Sequence, residues 1–407
     1  MTRLKALKKC RVCNSTEITN ILSLGVQYLS DFTSLDQKPE KYPLDLILCG
    51  RCHLLQLKHT APQSSLYTER YGYRSGINKT MRNELKEIVN KSLKKVKLSK
   101  NSTVVDIGAN DGTLLGNYKK NLFRIGIEPI KKFAKDCKKH ADIVINDFFN
   151  FDSYFKKVKK RKAHIISAIS CFYDIDDPNK FVSDIKKILH KDGIFVIQQN
   201  YLGLMIKYNA FDNVVHEHLE YYSLLSLENL LNKHNLEIFD LELSDINGGS
   251  FRTYISYKAR RSIEQSVNKL REQEKKIKLD SKKVYKDFAV RVKQMREKLH
   301  NLLVKLKKEG KSAYAYGAST RGNTLLQFCN INNQLIKAAV ERNSEKWNKK
   351  IASVGIPIIS EKQARKQKPD YMLVLPWFFK DEFLQREKAY LNSGGHFIFP
   401  LPKLKVI

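Results

Sequence analysis

The sequence lacks any apolar run of about 20 residues, the length that a membrane-spanning helix requires. Its first nine residues are charged and lead directly into cysteines, so they also lack the core of about 7–15 apolar residues of a secretory signal. Low-complexity tracts and short repeats are absent as well. These absences argue against a membrane protein, and we expect a cytoplasmic one.

Acidic residues are scarce: 42 Asp and Glu stand against 74 Lys and Arg, and the formal net charge is +32. Such an excess indicates an anionic substrate or a polyanionic partner. The basic residues are scattered, however, with their densest run at 156–162, so a lysine-rich solvated surface is the alternative explanation. The chain lacks the compact aromatic and basic element of an RNA-recognition motif, and we expect no nucleic-acid partner.

The remaining composition, with 42% hydrophobic and 29% charged residues, is that of a folded protein, and 407 residues suggest two or three domains. Two regions alternate short apolar runs with helical patterns, which predicts a doubly wound α/β fold with parallel sheets. The predicted strands are 103–107, 124–127, 143–146, 164–170 and 193–198, then 313–316, 338–341, 356–359, 371–375 and 396–399. Between these regions, apolar residues spaced by three, four or seven predict one or two long amphipathic helices within 262–308.

Four of the seven cysteines form two CxxC pairs, Cys10 with Cys13 and Cys49 with Cys52. Each pair can place two thiolates on one side of a tight turn, and two pairs supply the tetrahedral sulfur set that zinc prefers. Because all four positions are cysteine, the pattern favours a closed structural zinc site over a catalytic one. A redox dithiol is the alternative. A disulfide scaffold is not expected in a cytoplasmic chain.

The segment 104–115 contains an apolar strand that ends in Asp106 and Ile107, followed by a glycine turn that opens a helix. This is the first strand-to-helix turn of a Rossmann-like sheet, where ligands bind beyond the carboxyl ends of the strands. The dinucleotide pattern GxGxxG is absent, because Asn110 stands at its second glycine. Asp111 would repel a pyrophosphate at the helix N-terminus, so a cationic ligand fits better.

Glu128 ends the next predicted strand, where a carboxylate can accept both hydroxyls of a ribose. A DxGxxxG loop followed by such a residue resembles the class I methyltransferases that depend on S-adenosyl-L-methionine (SAM). The resemblance implies SAM as cofactor, held by Asp106, Gly108, Asn110, Asp111, Gly112 and Glu128. Asp147 and Phe148 follow the third strand, where such enzymes often contact adenine. A strand-end cap and a core aromatic are their alternative roles.

A short segment concentrates two histidines, His216 and His218, and two carboxylates, Glu217 and Glu220. The zinc pattern HExxH is absent. A general base is the better interpretation, because histidine titrates near neutral pH and an adjoining carboxylate can orient it. A structural histidine is the alternative. Further along the chain, the glycines of 247–252 suit a close backbone approach to a ligand.

Together these motifs closely resemble the sugar C-methyltransferases that act on nucleotide-linked keto-deoxysugars. The shared motifs are the two CxxC pairs, 42–44 (YPL), the tyrosines around 71–73, 106–115 (DIGANDGTLL), 126–129 (GIEP), 216–223 (HEHLEYYS), 248–252 (GGSFR), 317–326 (GASTRGNTLL) and 375–377 (LPW). The resemblance implies a zinc-binding module at 1–65, a Rossmann-like methyltransferase domain at 66–245 and a smaller α/β domain at 246–407. Two positions depart from the family pattern: Val215, where some members have tyrosine, and Asn247, where a histidine often stands.

In this family a base removes the proton next to a ketone, and the resulting enolate takes the methyl group. The resemblance implies that His218 is the base with Glu217 assisting, and that Tyr71 or Tyr73 lies near the sugar. For the nucleotide-diphosphate sugar we expect contacts from Asn200, Tyr222, Arg252 and Arg321. The 317–326 loop either completes the substrate cleft as a degenerate Rossmann unit or contacts the diphosphate through Arg321 and Asn323.

The alternative function is SAM-dependent methylation of another acceptor, such as RNA, a protein or a small molecule. A noncatalytic scaffold built on the same fold is a third hypothesis, which the complete glycine loop and the retained His218 disfavour. We expect the protein to be a monomer or a dimer.

Overall fold

A computed structural model describes Leu4 and residues 6–34, 38–69 and 71–407, so Met1–Arg3 and Lys5 of the charged N-terminal segment lie outside the described residues. The described chain forms three sheets of four, seven and eight strands. Two of these sheets contain parallel strands, which confirms the mixed α/β class. In the part of the chain that is described, no helix has both the length and the apolar character to cross a membrane.

The N-terminal module is built on antiparallel strands. Its elements are β1 (Ile18–Tyr28), β2 (Phe32–Thr33), β3 (Lys41–Cys49), β4 (Leu55–Leu57) and α1 (Gln63–Leu66). β1 pairs with β3, and β3 pairs with β4. This hairpin arrangement brings the turn before β1 next to the turn after β3, where the two CxxC pairs lie.

The central domain is a seven-stranded sheet with helices around it. The strands of this sheet are β5 (Thr103–Ile107), β6 (Phe123–Ile127), β7 (Ile143–Ile145), β8 (Ala163–Ile169), β9 (Leu189–Asn200), β11 (Leu236–Ser244) and β12 (Ser250–Tyr257). The short strand β10 (Glu220–Tyr221) lies between β9 and β11 in the chain but outside this sheet. The helices of the domain are α2 (Lys79–Leu93), α3 (Lys131–Cys137), α4 (Phe151–Val158), α5 (Pro178–Ile188), α6 (Leu202–Lys207) and α7 (Leu224–Lys233).

The strand order of this sheet is β11-β12-β9-β8-β5-β6-β7. Strands β5 to β9 are parallel, β12 is antiparallel to β9, and β11 is antiparallel to β12. β5 is buried along its whole length, which fits its unbroken apolar pattern at the centre of a sheet covered on both faces. The carboxyl ends of β5, β6 and β8 therefore meet at one edge, where an open α/β sheet binds ligands.

The C-terminal domain contains the eight-stranded sheet, and the first two of its six helices precede the strands. The helices are α8 (Gln265–Lys276), α9 (Lys282–Lys308), α10 (Thr320–Phe328), α11 (Glu361–Gln367), α12 (Lys380–Arg386) and α13 (Lys388–Asn392). The strands are β13 (Ala313–Tyr316), β14 (Ala339–Glu341), β15 (Lys350–Ile351), β16 (Ile356–Ser360), β17 (Tyr371–Val374), β18 (His396–Phe399) and β19 (Lys405–Val406). The apolar stripe of α9 packs into the core of this domain through Val292, Met295 and Leu299.

The three sheets exchange short strands. β10 leaves the central domain and pairs with β4 of the N-terminal module. β2 leaves the N-terminal module and pairs with β15 at the edge of the C-terminal sheet. These exchanges place the loop before β10 between all three parts of the molecule.

Candidate active site

The four cysteines of the two CxxC pairs come together in the N-terminal module. The sulfur atoms of Cys10 and Cys52 are 3.5 Å apart, those of Cys13 and Cys49 are 3.4 Å apart, and all four lie within 4.8 Å of one another. Tetrahedral zinc–sulfur bonds of about 2.3 Å separate neighbouring sulfurs by roughly 3.8 Å. The donor set and its spacing therefore fit a closed structural zinc site.

A cavity of about 310 Å³ lies at the carboxyl ends of the central parallel strands. Six of the residues that the sequence assigns to SAM line this cavity: Asp106, Gly108, Asn110, Glu128, Asp147 and Phe148. Gly108 has a φ of +69°, and a side chain there would also come within 3.0 Å of the Cys171 sulfur. The loop therefore needs glycine at this position.

Glu128 sits at the end of β6, almost completely buried. Its two carboxylate oxygens accept backbone N–H groups from Asn110 and from Ile130, each at 2.8 Å. Burial raises the pKa of Glu128 above its usual range, and these two hydrogen bonds oppose that rise. Asp106 is also buried and accepts a hydrogen bond of 2.6 Å from the Ser167 hydroxyl, and burial raises its pKa to about 7.

Asp111 and Gly112 do not line this cavity, and their assignment as SAM contacts stays a prediction. Asp111 accepts hydrogen bonds from the backbone N–H of Gly76, at 2.9 Å, and from the Thr113 hydroxyl, at 2.6 Å. Gly112 has a φ of +79°, and a side chain there would come within 2.9 Å of the Cys137 backbone. Both residues shape the loop.

Asp147 and Phe148 combine the two roles left open by the sequence. Asp147 caps the turn, because its carboxylate accepts from the Phe148 N–H at 2.8 Å and from the Ser153 hydroxyl at 2.6 Å. Phe148 is not a core aromatic: 40% of its surface is exposed, and its ring meets Tyr67 edge-on at 5.8 Å. Both side chains remain at the wall of the cavity.

A second cavity of about 590 Å³ adjoins the first, and Tyr71 and Tyr73 line both. Its walls come from all three parts of the chain: residues 29–33 and 38–40 of the N-terminal module, Glu217, and Ser319 with Lys346 of the C-terminal domain. Gly108 lines the first cavity, and Glu217 of the histidine-containing segment lines the second. His218 itself lines neither of these two cavities.

The two histidines of the 216–218 segment have different surroundings. His216 is buried, and its Nε2 lies 3.0 Å from the carbonyl oxygen of Tyr42, so it joins the loop to β3. His218 is half-buried, and its Nδ1 lies 2.9 Å from the carbonyl oxygen of Asn213. Since a carbonyl only accepts, Nδ1 of His218 carries the proton and Nε2 keeps a free lone pair.

The electrostatic surroundings keep His218 neutral. Burial, with a smaller contribution from the Arg321 guanidinium, lowers the pKa of His218 to about 3, although the hydrogen bond to Asn213 opposes this shift. Burial raises the pKa of the neighbouring Glu217 above its usual range. The ring of His218 packs on that of Tyr173, with 4.2 Å between the ring centroids.

Two residues expected at the sugar nucleotide lie near this loop but bond internally. Asn200 donates a hydrogen bond of 2.7 Å to the side-chain oxygen of Asn213. Arg321 forms an ion pair of 2.8 Å with Asp212, and its guanidinium also donates to the Asn247 carbonyl. Both side chains therefore order the residues that hold His218, and the positive charge of Arg321 is already matched by a carboxylate.

Two other expected substrate contacts need correction. Tyr222 is fully buried, and its ring packs 5.5 Å from that of Phe172 in the core of the central domain. Arg252 is 2% exposed and forms an ion pair of 2.8 Å with Glu84 of α2. Neither side chain reaches a ligand, because each points into the domain. The sequence does not show this, since it does not distinguish the inward from the outward face of the strand or strand end that carries each residue. Asn323 of the 317–326 loop is likewise buried and accepts from the Ser353 hydroxyl.

Sequence analysis missed two residues of the first cavity, Tyr67 and Asp174. The Tyr67 hydroxyl donates a hydrogen bond of 3.1 Å to Asp174. Asp174 follows β8, and a position just beyond a predicted parallel strand was the available signal for it. Tyr67 lies in the same aromatic stretch as Tyr71, and nothing else in the sequence marks it as a residue of the cavity.

Three family models match successive parts of the chain. They describe a zinc binding domain over residues 10–67, a methyltransferase domain over residues 77–241 and a C-methyltransferase C-terminal domain over residues 245–402. Together with the cysteine cluster and the cavity at the ends of the parallel strands, they define a SAM-dependent methyltransferase. Its cofactors are SAM and zinc.

The curated C-methyltransferase NovU of Streptomyces niveus is 27% identical to this chain over 411 residues, which cover 99% of this chain and 97% of NovU. The three family models thus match this chain in the order zinc binding, methyltransferase and C-methyltransferase C-terminal domain. Solved structures match the chain less extensively. A SAM-dependent methyltransferase of Clostridium acetobutylicum ATCC 824 covers 45% of this chain and 94% of its own at 10% identity and a TM-score of 0.34. The mitomycin 7-O-methyltransferase MmcR covers 46% and 56% at 17% identity and a TM-score of 0.35.

Proposed function

We propose that this protein methylates a carbon atom of a nucleotide-linked keto-deoxysugar through an enolate formed by a histidine base. SAM supplies the electrophilic methyl group. The ketone acidifies the C–H bond beside it, and His218 removes that proton through Nε2. The C–H electron pair becomes the enolate, whose carbon would form the new C–C bond as the S–CH3 bond of SAM breaks and its electron pair leaves with the neutral thioether. The proton stays on His218 until it passes to solvent.

The observation that carries this proposal is the hydrogen bond from Nδ1 of His218 to the Asn213 carbonyl, at 2.9 Å. It fixes the tautomer in which Nε2 is a free proton acceptor. Asp212 and Arg321 hold the adjoining residues from the side, through an ion pair that joins the central and C-terminal domains. The base is therefore oriented before substrate binds.

Glu217 and the two tyrosines are the remaining groups that we assign to the reaction. Glu217, Tyr71 and Tyr73 line the second cavity together. Burial raises the pKa of Tyr71 well above its usual range, and the carboxylates of Asp174 and Glu217 add to that rise. Tyr71 therefore stays protonated and can donate a hydrogen bond to the developing enolate oxygen, while Glu217 assists His218.

An anionic sugar nucleotide matches the far wall of the second cavity. Lys346 lines it, with its ammonium 2.7 Å from the Ala318 carbonyl and over the ring of Phe32. Ser319 and Thr320 stand beside it at the N-terminus of α10, whose nine residues carry a partial positive charge at that end. A diphosphate placed there would set the sugar toward Glu217. This local charge supports the substrate class better than the overall charge of +32 does.

The test is methyl transfer from radiolabelled SAM to a panel of nucleotide-linked keto sugars, with RNA as a parallel acceptor. The expected product carries the label on carbon, which NMR identifies. His218→Ala should abolish transfer, and His396→Ala, an exposed histidine on β18, should not change it. Label in RNA, or full transfer by His218→Ala, would contradict the proposal.

A further inference from the structure

Asp174 is a carboxylate of the SAM cavity for which the proposed reaction has no role so far. It closes a short 3-10 turn directly after β8. Its Oδ2 accepts a hydrogen bond of 3.1 Å from the Tyr67 hydroxyl, whereas its Oδ1 is shielded from water and has no hydrogen-bond partner among the described residues. A carboxylate in this state is costly unless a cation or a proton compensates its charge.

Among the described residues, none supplies such a cation. In the described part of the chain, Asp174 forms no ion pair with a lysine, arginine or histidine, and the charged group that acts on it is another carboxylate, Glu217. Burial and then Glu217 raise the pKa of Asp174 well above its usual range, and the Tyr67 hydroxyl lowers it. A cationic ligand of the cavity would compensate the charge of Asp174 without the uptake of a proton.

Asp174 also lies on the side of the cavity that faces the proposed base. The preceding residue, Tyr173, packs on the ring of His218 at 4.2 Å and accepts the backbone N–H of Leu219 at 2.8 Å. Methyl transfer requires the reactive sulfur of SAM to approach this side. That sulfur is a cation in SAM and neutral in the product S-adenosylhomocysteine (SAH).

We propose that Asp174 supplies the negative charge that matches the sulfonium of SAM, so that the cavity selects the charged methyl donor over the uncharged product. Loss of the positive charge on transfer leaves the carboxylate uncompensated again and favours release of SAH. This inference rests on the proposed assignment of the cavity to SAM and deepens it.

The test is calorimetric titration of the full-length, zinc-loaded protein with three ligands: SAM, SAH and sinefungin, which carries an amine cation in place of the methylsulfonium. Asp174→Asn keeps the shape of the side chain and removes its charge. We expect this substitution to weaken the binding of SAM and of sinefungin at least about tenfold, and the binding of SAH by less than about twofold. Asp174→Glu keeps the charge and should preserve the preference for the charged ligands.

Asp152→Asn is the matched control, because it removes the same charge from an exposed position of α4 outside the cavity, and all three affinities should stay unchanged. If Asp174→Asn does not fold, Asp174→Ser takes its place in the same titrations. Equal weakening of SAM and SAH, or no change in either, would overturn the role of Asp174. If the wild-type protein did not bind SAH at all, the assignment of the cavity itself would fail instead.

Discussion

The guanidinium of Arg11 lies 3.7 Å from the carboxylate of Glu220, and both side chains are shielded from water. Arg11 stands between the zinc ligands Cys10 and Cys13, and Glu220 stands two residues after the proposed base. The oxygens of Glu220 have no hydrogen-bond partner among the described residues. A buried ion pair thus joins the zinc-binding turn to the segment that carries His218.

Replacing Arg11 should therefore lower the free energy of unfolding more than replacing Glu220 does. Arg11→Met leaves a buried carboxylate uncompensated, and we expect a loss of about 3–5 kcal/mol in the free energy of unfolding. Glu220→Gln should cost less, because Arg11 keeps its contacts with Asp176 and the Leu57 carbonyl. The double variant should be more stable than Arg11→Met alone. Urea unfolding at neutral pH measures all three, and strictly additive losses would contradict the coupling.

Removal of zinc should impair proton removal by His218 more strongly than it impairs cofactor binding. Besides the Arg11–Glu220 pair, β4 pairs with β10, and the Leu57 N–H donates to the Leu219 carbonyl at 2.8 Å. Loss of the metal loosens this sheet and with it the His218 loop. A chelator should therefore abolish proton exchange on the substrate, while calorimetry shows SAH affinity within roughly threefold of the loaded protein. Exchange that survives in metal-free protein would refute this link.

The pH dependence of proton removal should show no step near the ordinary pKa of histidine. Burial lowers the pKa of His218 to about 3, so its imidazole stays unprotonated throughout the range above that value. The rate of substrate proton exchange should stay level between about pH 8 and pH 5. Stability should decline as the pH falls below about 6.5, because the unfolded chain then binds a proton that the folded chain excludes. An exchange rate that falls with a midpoint near 6.5 would show an exposed histidine instead.

Glu128 should act on the part of the cofactor that SAM and SAH share. Glu128→Gln weakens acceptance from the Asn110 and Ile130 N–H groups and removes the charge available to a ribose. We expect roughly tenfold weaker binding of SAM and SAH alike, since a hydrogen bond to a charged group contributes about 1.5 kcal/mol or more. Titration of both ligands checks this, with Asp152→Asn as the control. A selective loss of SAM would place Glu128 near the sulfur and not the ribose.

The sequence was sufficient for the cysteine cluster and for six residues of the first cavity, because both depend on local spacing. The CxxC pairs specify their own turns, and Asp106, Gly108 and Glu128 follow strands whose carboxyl ends must meet in a parallel sheet. The hydrogen bond of Asp111 could not be predicted in this way, because its partner is the backbone of Gly76 on an earlier segment.

Long-range partners explain the other failures. Arg252 looks like an anion-binding residue by type, and only the fold shows that Glu84 compensates it from a helix far away in the chain. The strand exchanges could not be predicted from the sequence either, since β2 and β10 have two residues each and show no periodic pattern. As a consequence, three parts of the chain enclose the loop that carries His218. Only the assembled fold shows this arrangement.

The most direct test of base catalysis by His218 is deuterium exchange at the carbon next to the ketone, measured by NMR in D2O with SAH in place of SAM. Without a methyl group to transfer, wild-type protein should exchange that proton while forming no methylated product. His218→Ala should show no exchange yet bind SAH as the wild type does. Exchange at the wild-type rate in His218→Ala would contradict the assignment.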